Sequence, residues 1–223
     1  MLYINQRKYP DMPYQHNLKH GGAPADKSNI SSAGCGLCCL CMVVENMTMH
    51  SFSLEECRQM VYDLKANMSA GSDLQIMGPA VAEKFGLTYD QTDDINKMLA
   101  YDPKVRICIE PKPNEPIDRS ICGTMGHVMA ISAATIDPSR VGGNLESAHA
   151  ILAGLDPAHE IGFAMAMGKL MTVHLNDQNS IRYDQDKSFG VENLRGAFNQ
   201  IKVLCDHNYG ANGEMVGLDV KAM

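Results

Sequence analysis

Residues 157–167 (PAHEIGFAMAM), then Gly168, then residues 171–175 (MTVHL) decide the architecture of this chain. A proline at the first helical position and a glycine behind the last residue mark a helix. The apolar run that follows is too short for a helix and suits a strand. The same alternation extends both ways from this unit. Upstream, residues 105–110 (VRICIE) read as a strand, residues 124–135 as a helix stopped by Asp137 and Pro138, and residues 144–146 as the close of a short strand. Downstream, residues 191–207 read as a helix and residues 215–220 (MVGLDV) as a last strand. Four strands with three helical crossovers predict an α/β fold with a parallel sheet and right-handed connections.

The texture differs before residue 100, where helices dominate and no strand is strong. Gly34-Cys35-Gly36 opens an apolar helix to about Glu45. Ser53-Leu54-Glu55-Glu56 is a capping box for a helix to about Leu64. Ser72 or Asp73 caps a third helix that Gly86 stops, and a short helix spans residues 94–99. The chain therefore divides into residues 1–100 and 101–223.

Of the 223 residues, 45% are hydrophobic and 20% charged, enough apolar material for a packed core and against disorder. A net charge of -7 argues against nucleic-acid or anionic-membrane partners. The N-terminus lacks the apolar stretch of a signal peptide, and no apolar run is long enough to span a bilayer. The eight cysteines then read as free thiols of a cytoplasmic protein.

Chemistry gathers at the C-terminal ends of the four strands. Glu110 ends the first, with Lys112 behind it, and Glu146 ends the second, with His149 three residues on. His174 lies near the end of the third, followed by Asp177, Asp184 and Asp186, and Asp219 lies on the last. Taken singly, a carboxylate after a strand is commonly a solvated loop residue or a helix cap. Its recurrence at one end of every strand predicts a shared site, because active sites of parallel barrels are built there. Carboxylates converging in that way need cations between them. Oxygen donors with an imidazole suit hard divalent ions such as magnesium or manganese.

Four stretches resemble xylose isomerases. They are residues 110–116 (EPKPNEP), residues 144–155 (NLESAHAILAGL), residues 174–190 (HLNDQNSIRYDQDKSFG) and residues 218–221 (LDVK). The resemblance implies the second half of a TIM barrel holding two divalent cations (magnesium, manganese or cobalt) and acting on a small sugar. It implies that Glu110, Glu146 and Asp219 hold one cation. Glu146 would bridge to a second, held also by His149, Asp184 and Asp186. Lys112 would polarise the sugar carbonyl, and Asn179 would contact substrate. His174 occupies a ligand position at which the resembled family has an aspartate, and Asp177 is available to compensate. The first four barrel strands and the closing helix are missing, so a truncated half barrel with open edges is expected to self-associate.

Residues 5–14, 32–44 and 80–87 resemble papain-like peptidases related to bacteriocin-leader processing enzymes. The resemblance implies Cys35 as nucleophile, its thiolate favoured at a helix N-terminus, and Gln6 as an oxyanion-hole donor. No histidine stands in a matching context: His16, His20, His50 and His127 have other surroundings. The Cys35-x-x-Cys38 spacing also admits a metal, though Cys38, Cys39 and Cys41 on one helix suit packing better. Cys57, Cys108, Cys122 and Cys205 read as core. Three readings stand at this point: a sugar isomerase, a cysteine peptidase module, or a hybrid of two gene fragments that catalyses nothing.

Overall fold

The computed structural model describes residues 2–15, 28–68, 71–115 and 117–220. It divides into two compact units, Met1–Gln91 and Thr92–Met223. His16, His20 and Lys221 lie outside the described residues.

The first unit is built from helices α1 (Ile30–Ala33), α2 (Cys35–Met47), α3 (Leu54–Asp63) and α4 (Leu74–Phe85). Between α3 and α4 lies an antiparallel pair, β1 (Asn67–Met68) with β2 (Gly71–Ser72), which the sequence reading does not contain. Two residues per strand are too few to show alternation. The capping box forms as read: the Ser53 side chain accepts from the Glu56 amide, and Glu56 reaches back to the Ser53 amide at 3.0 Å. Asp73, rather than Ser72, caps α4. Tyr14, Leu37, Cys41, Val44, Phe52, Cys57, Val61 and Met77 make the core, and Cys38 joins it. Packing therefore takes Cys38, Cys41 and Cys57, while Cys35 and Cys39 are exposed.

The second unit holds α5 (Ile95–Tyr101), β3 (Ile107–Ile109), α6 (Met125–Ala133), β4 (Val141–Glu146), α7 (Ser147–Leu152), α8 (Pro157–Ala166), β5 (Leu170–His174), α9 (Leu194–Asp206) and β6 (Met215–Gly217). The sheet has the order β3-β4-β5-β6, with every neighbouring pair parallel. Helix α5 belongs to this unit because Arg140 grips its end, donating to the carbonyls of Leu99, Asp102 and Val105.

Helices α6, α8 and α9 cover one face of the sheet. Met125, Val128, Ile161, Ala164 and Leu204 pack there on Leu145, Val173 and Leu175. A buried aliphatic side chain of this kind stabilises by about 1.5–3 kcal/mol. A bulge between Gly143 and Asn144 resets the register with β5, so that Glu146 pairs with His174. Among the described residues no helix is long and apolar enough to cross a membrane.

The structure corrects several expectations. Cys108 and Cys205 are exposed rather than in the core, because Cys108 alternates away from Ile107 and Ile109 and Cys205 lies on the outer side of α9. Strand β6 ends at Gly217, so Asp219 follows the strand rather than lying on it. Helix α7 is an addition: residues 147–152 are too short a run for periodicity to reveal.

Candidate metal centre

The site grows from the ends of four parallel strands, on the face that the helices leave open. Glu146 is its hub. It is the last residue of β4 and 1% exposed, and it is the N-terminal cap residue of α7. One turn on, α7 carries His149, which is 4% exposed. His149 Nε2 lies 3.2 Å from Glu146 Oε1 and 3.1 Å from Asp184 Oδ2, and its Nδ1 lies 3.6 Å from Glu110 Oε1. Across the sheet, His174 Nδ1 is 3.7 Å from both Glu110 Oε2 and Glu146 Oε2. Three groups of donor atoms fall within 4.8 Å of one another: Glu110, Glu146 and His149; Glu146, His174 and Asp219; Glu146, Asp184 and Asp186. All three share Glu146.

Asp184 and Asp186 arrive from the loop after β5, where Ser180, Tyr183 and Asp186 have φ values of 67°, 83° and 45°. A bulky residue such as Tyr183 adopts that region only under constraint. The constraint comes from Asp177. Its carboxylate accepts from the backbone amides of Gln178, Glu192 and Asn193, and its own backbone pairs with Lys187. Asp177 is thus spent on holding the loop and does not join the cluster as a compensating ligand.

Lys112 donates to Asp184 Oδ2 at 2.7 Å and lies 3.5 Å from Glu115. Asn179 stands outside the cluster, exposed, with its side-chain oxygen accepting from the Ile181 amide. In the first unit, Cys35 is the exposed first residue of α2, and Gln6 spends one amide hydrogen on the Ser31 carbonyl at 3.1 Å.

Two asparagines without a role in the sequence reading hold the cluster in place. Asn176 is 1% exposed. It donates to Glu146 Oε1, Asp186 Oδ1 and the Asp219 carbonyl, and accepts from the Ala148 amide. Asn144 donates to Glu110 Oε2 at 2.6 Å and faces His174 Nδ1 at 3.0 Å. The available signal was a polar residue inside an otherwise apolar strand segment, which is uncommon unless it is paired.

The electrostatics follow from burial. Burial pushes the Glu146 carboxyl up to about 8, with Glu110 and Asp184 adding to the rise against the Asn176 hydrogen bond and His149. Burial also pulls His149 down, but Asp184 and Glu146 outweigh it and hold the imidazole above its ordinary value. Burial would raise Asp184, yet hydrogen bonds from His149 and Lys112 hold it well below the usual carboxylate range.

Glu146 Oε2 and His149 Nδ1 are buried with no hydrogen-bond partner. Such orphaned atoms cost about 1–3 kcal/mol each, and carboxylates and imidazoles are ligands of the kind that divalent cations take. The residues therefore fit a cation.

No family model matches the chain. Curated relatives do match its C-terminal half. The chain is 41% identical over 104 residues to the xylose isomerase of Thermus thermophilus, covering 47% of this chain and 27% of that protein. Part of this chain is similar to xylose isomerases. The xylose isomerase of Thermus caldophilus is 38% identical over 121 residues, 52% of this chain and 31% of its own. That of Streptomyces lividans is 41% identical over 100 residues, 45% of this chain and 25% of its own. The match spans less than a third of each relative's length. The peptidase-like reading of residues 1–100 finds no support among these xylose isomerases.

Proposed function

We propose that the Thr92–Met223 unit is the cation-binding part of an aldose–ketose isomerase of the xylose isomerase type. In this reading β3 to β6 are four consecutive strands of a (β/α)8 barrel. The observation that carries it is the convergence on Glu146 of donors from all four strand ends, in a stretch about 40% identical to xylose isomerases. Glu110, Glu146, His174 and Asp219 hold one divalent cation, and Glu146, His149, Asp184 and Asp186 a second. Bound there, the cations supply Lewis acidity and a template for sugar hydroxyls.

The chain's own residues do the rest. Asn144 and Asn176 fix the carboxylates so that they need not reorganise. Lys112, near the open rim, offers its ammonium to the carbonyl oxygen of an open-chain sugar and stabilises negative charge that develops there. Its pairing with Asp184 keeps it protonated: burial alone would lower its proton affinity, and Asp184 more than restores it. The same arrangement implies a small-sugar partner and, because among the described residues β3 and β6 each have one strand neighbour, association through sheet edges.

The test is ketose formation from xylose by the full chain with manganese, cobalt or magnesium added. Turnover that requires the cation and falls about 100-fold or more in Lys112→Met supports the reading. A parent that binds cations but converts no sugar leaves only a non-catalytic cation-binding module.

A second reading concerns the first unit. Cys35 stands exposed at the first residue of a 13-residue helix. Selective labelling of Cys35 by an electrophilic probe below neutral pH supports a peptidase-like nucleophile. Labelling no faster than that of Cys39 removes it.

A further inference from the structure

The face of the sheet that carries the site is shaped around one imidazole. His174 on β5 pairs in register with Gly217 on β6. A Cβ at position 217 would stand 2.8 Å from His174 Cδ2, closer than packed atoms allow, and 3.1 Å from its Nε2, a tight contact. The ring therefore lies against the Gly217 backbone, in a space that a larger residue there would enter unless the ring moved. On its other side, the Asn144 side-chain amide, which also donates to Glu110, faces His174 Nδ1 at 3.0 Å. The same Nδ1 lies 3.7 Å from each of Glu110 Oε2 and Glu146 Oε2, and Glu146 Oε2 is the buried oxygen without a hydrogen-bond partner.

We infer that this Gly217–His174–Asn144 arrangement is a built nitrogen-donor slot, and that the subsite of Glu146, His174 and Asp219 selects a borderline transition cation of the zinc or cobalt class over magnesium. Neutral imidazole is a good ligand for zinc, cobalt and nickel and a poor one for magnesium, which takes oxygen donors in a near-ideal octahedron. A carboxylate at position 174 would give the subsite oxygen donors only and an additional negative charge. The imidazole lowers that charge and adds a directional donor. The inference rests on the cation-binding part of the reading above, not on turnover of any sugar.

The experiment uses the full chain with 15N-labelled histidine, so that thiol binding elsewhere does not enter the signal. Zinc titration should move the His174 Nδ1 resonance to a metal-bound position, and magnesium at equal excess should leave it in place. The zinc-over-magnesium preference, read at His149, should fall about 10-fold or more in His174→Asp. Gly217→Ala, which displaces the ring without removing it, should weaken zinc at His174 by about 10-fold. Response at His149 with an unmoved His174 Nδ1, or an unchanged preference in His174→Asp, overturns the inference and leaves the cation site standing. Silence at both histidines for every cation overturns the two together.

Discussion

Asn176 is the residue on which most of the cluster leans. One amide serves two carboxylates and the Asp219 carbonyl, and its oxygen takes the Ala148 amide in the first turn of α7. Asn176→Leu should lower stability by about 1–3 kcal/mol, because it leaves buried acceptors unmet; chemical denaturation measures this, and a change under 0.5 kcal/mol would contradict the assignment. Glu146 gives a pH dependence whose sign is fixed. Its folded value near 8 lies above the ordinary 4.5, so the cation-free fold holds a proton that the unfolded chain has lost. Stability should therefore fall as pH rises from about 4.5 to 8. His149, also raised, adds to the fall. Asp184, held low, makes the opposite contribution, present above the ordinary 3.8 and lost in acid. Added zinc or manganese should offset the alkaline loss, and Glu146→Gln should flatten it. At this scale the sequence disclosed the ionisable members of the cluster, because acids repeat at strand ends. It did not disclose Asn144 and Asn176, since an amide carries no charge pattern. Nor did it reveal that Asp177 is a loop tether, because a carboxylate's partners here are backbone amides.

Among the elements, the parallel order β3-β4-β5-β6 was legible because apolar strands alternate with helices whose ends are written in the chain, as at Pro157 and Gly168. Elements without period or room for it stayed hidden: α7, with six residues, and the β1–β2 pair. Gly142 shows what the sheet demands of β4. A Cβ there would meet the Lys169 carbonyl at 2.7 Å and Met171 at 2.9 Å. Backbone cannot step aside as a side chain does, so Gly142→Ala should cost about 1–3 kcal/mol and lower cation affinity with it. An alanine variant as stable as the parent would show that the strand can shift. Removing the α3 cap in Ser53→Ala should cost about 1 kcal/mol in the first unit. Glu56, held low by its bonds to Ser53, contributes above the ordinary carboxylate range and stops doing so as pH falls through it.

For the whole molecule, the two compact units give a separable response. Among the described residues the clustered cation donors all lie in Thr92–Met223. Zinc at 100 times its dissociation constant should stabilise that unit by about 2.7 kcal/mol and leave the other where it was. Calorimetry should then show one transition moving and one fixed. A uniform shift of a single transition would mean the units unfold together. At the sheet margin, β6 exposes Met215 by 73% and Val216 by 49%, with Leu218 just beyond at 69%. An open margin of this character should pair with other chains; size-exclusion chromatography at rising concentration should show species larger than a monomer.

The donors that meet at Glu146 come from as early as Glu110 and as late as Asp219, so half the chain must find its place before the last of them arrives. Contacts so distant along a chain form late. The cluster is therefore a timekeeper for refolding: the pocket should take up a cation only after the sheet has closed on both sides of β4. A metal-sensitive histidine signal would then lag behind the return of helical signal, and excess cation should slow unfolding more than it hastens folding.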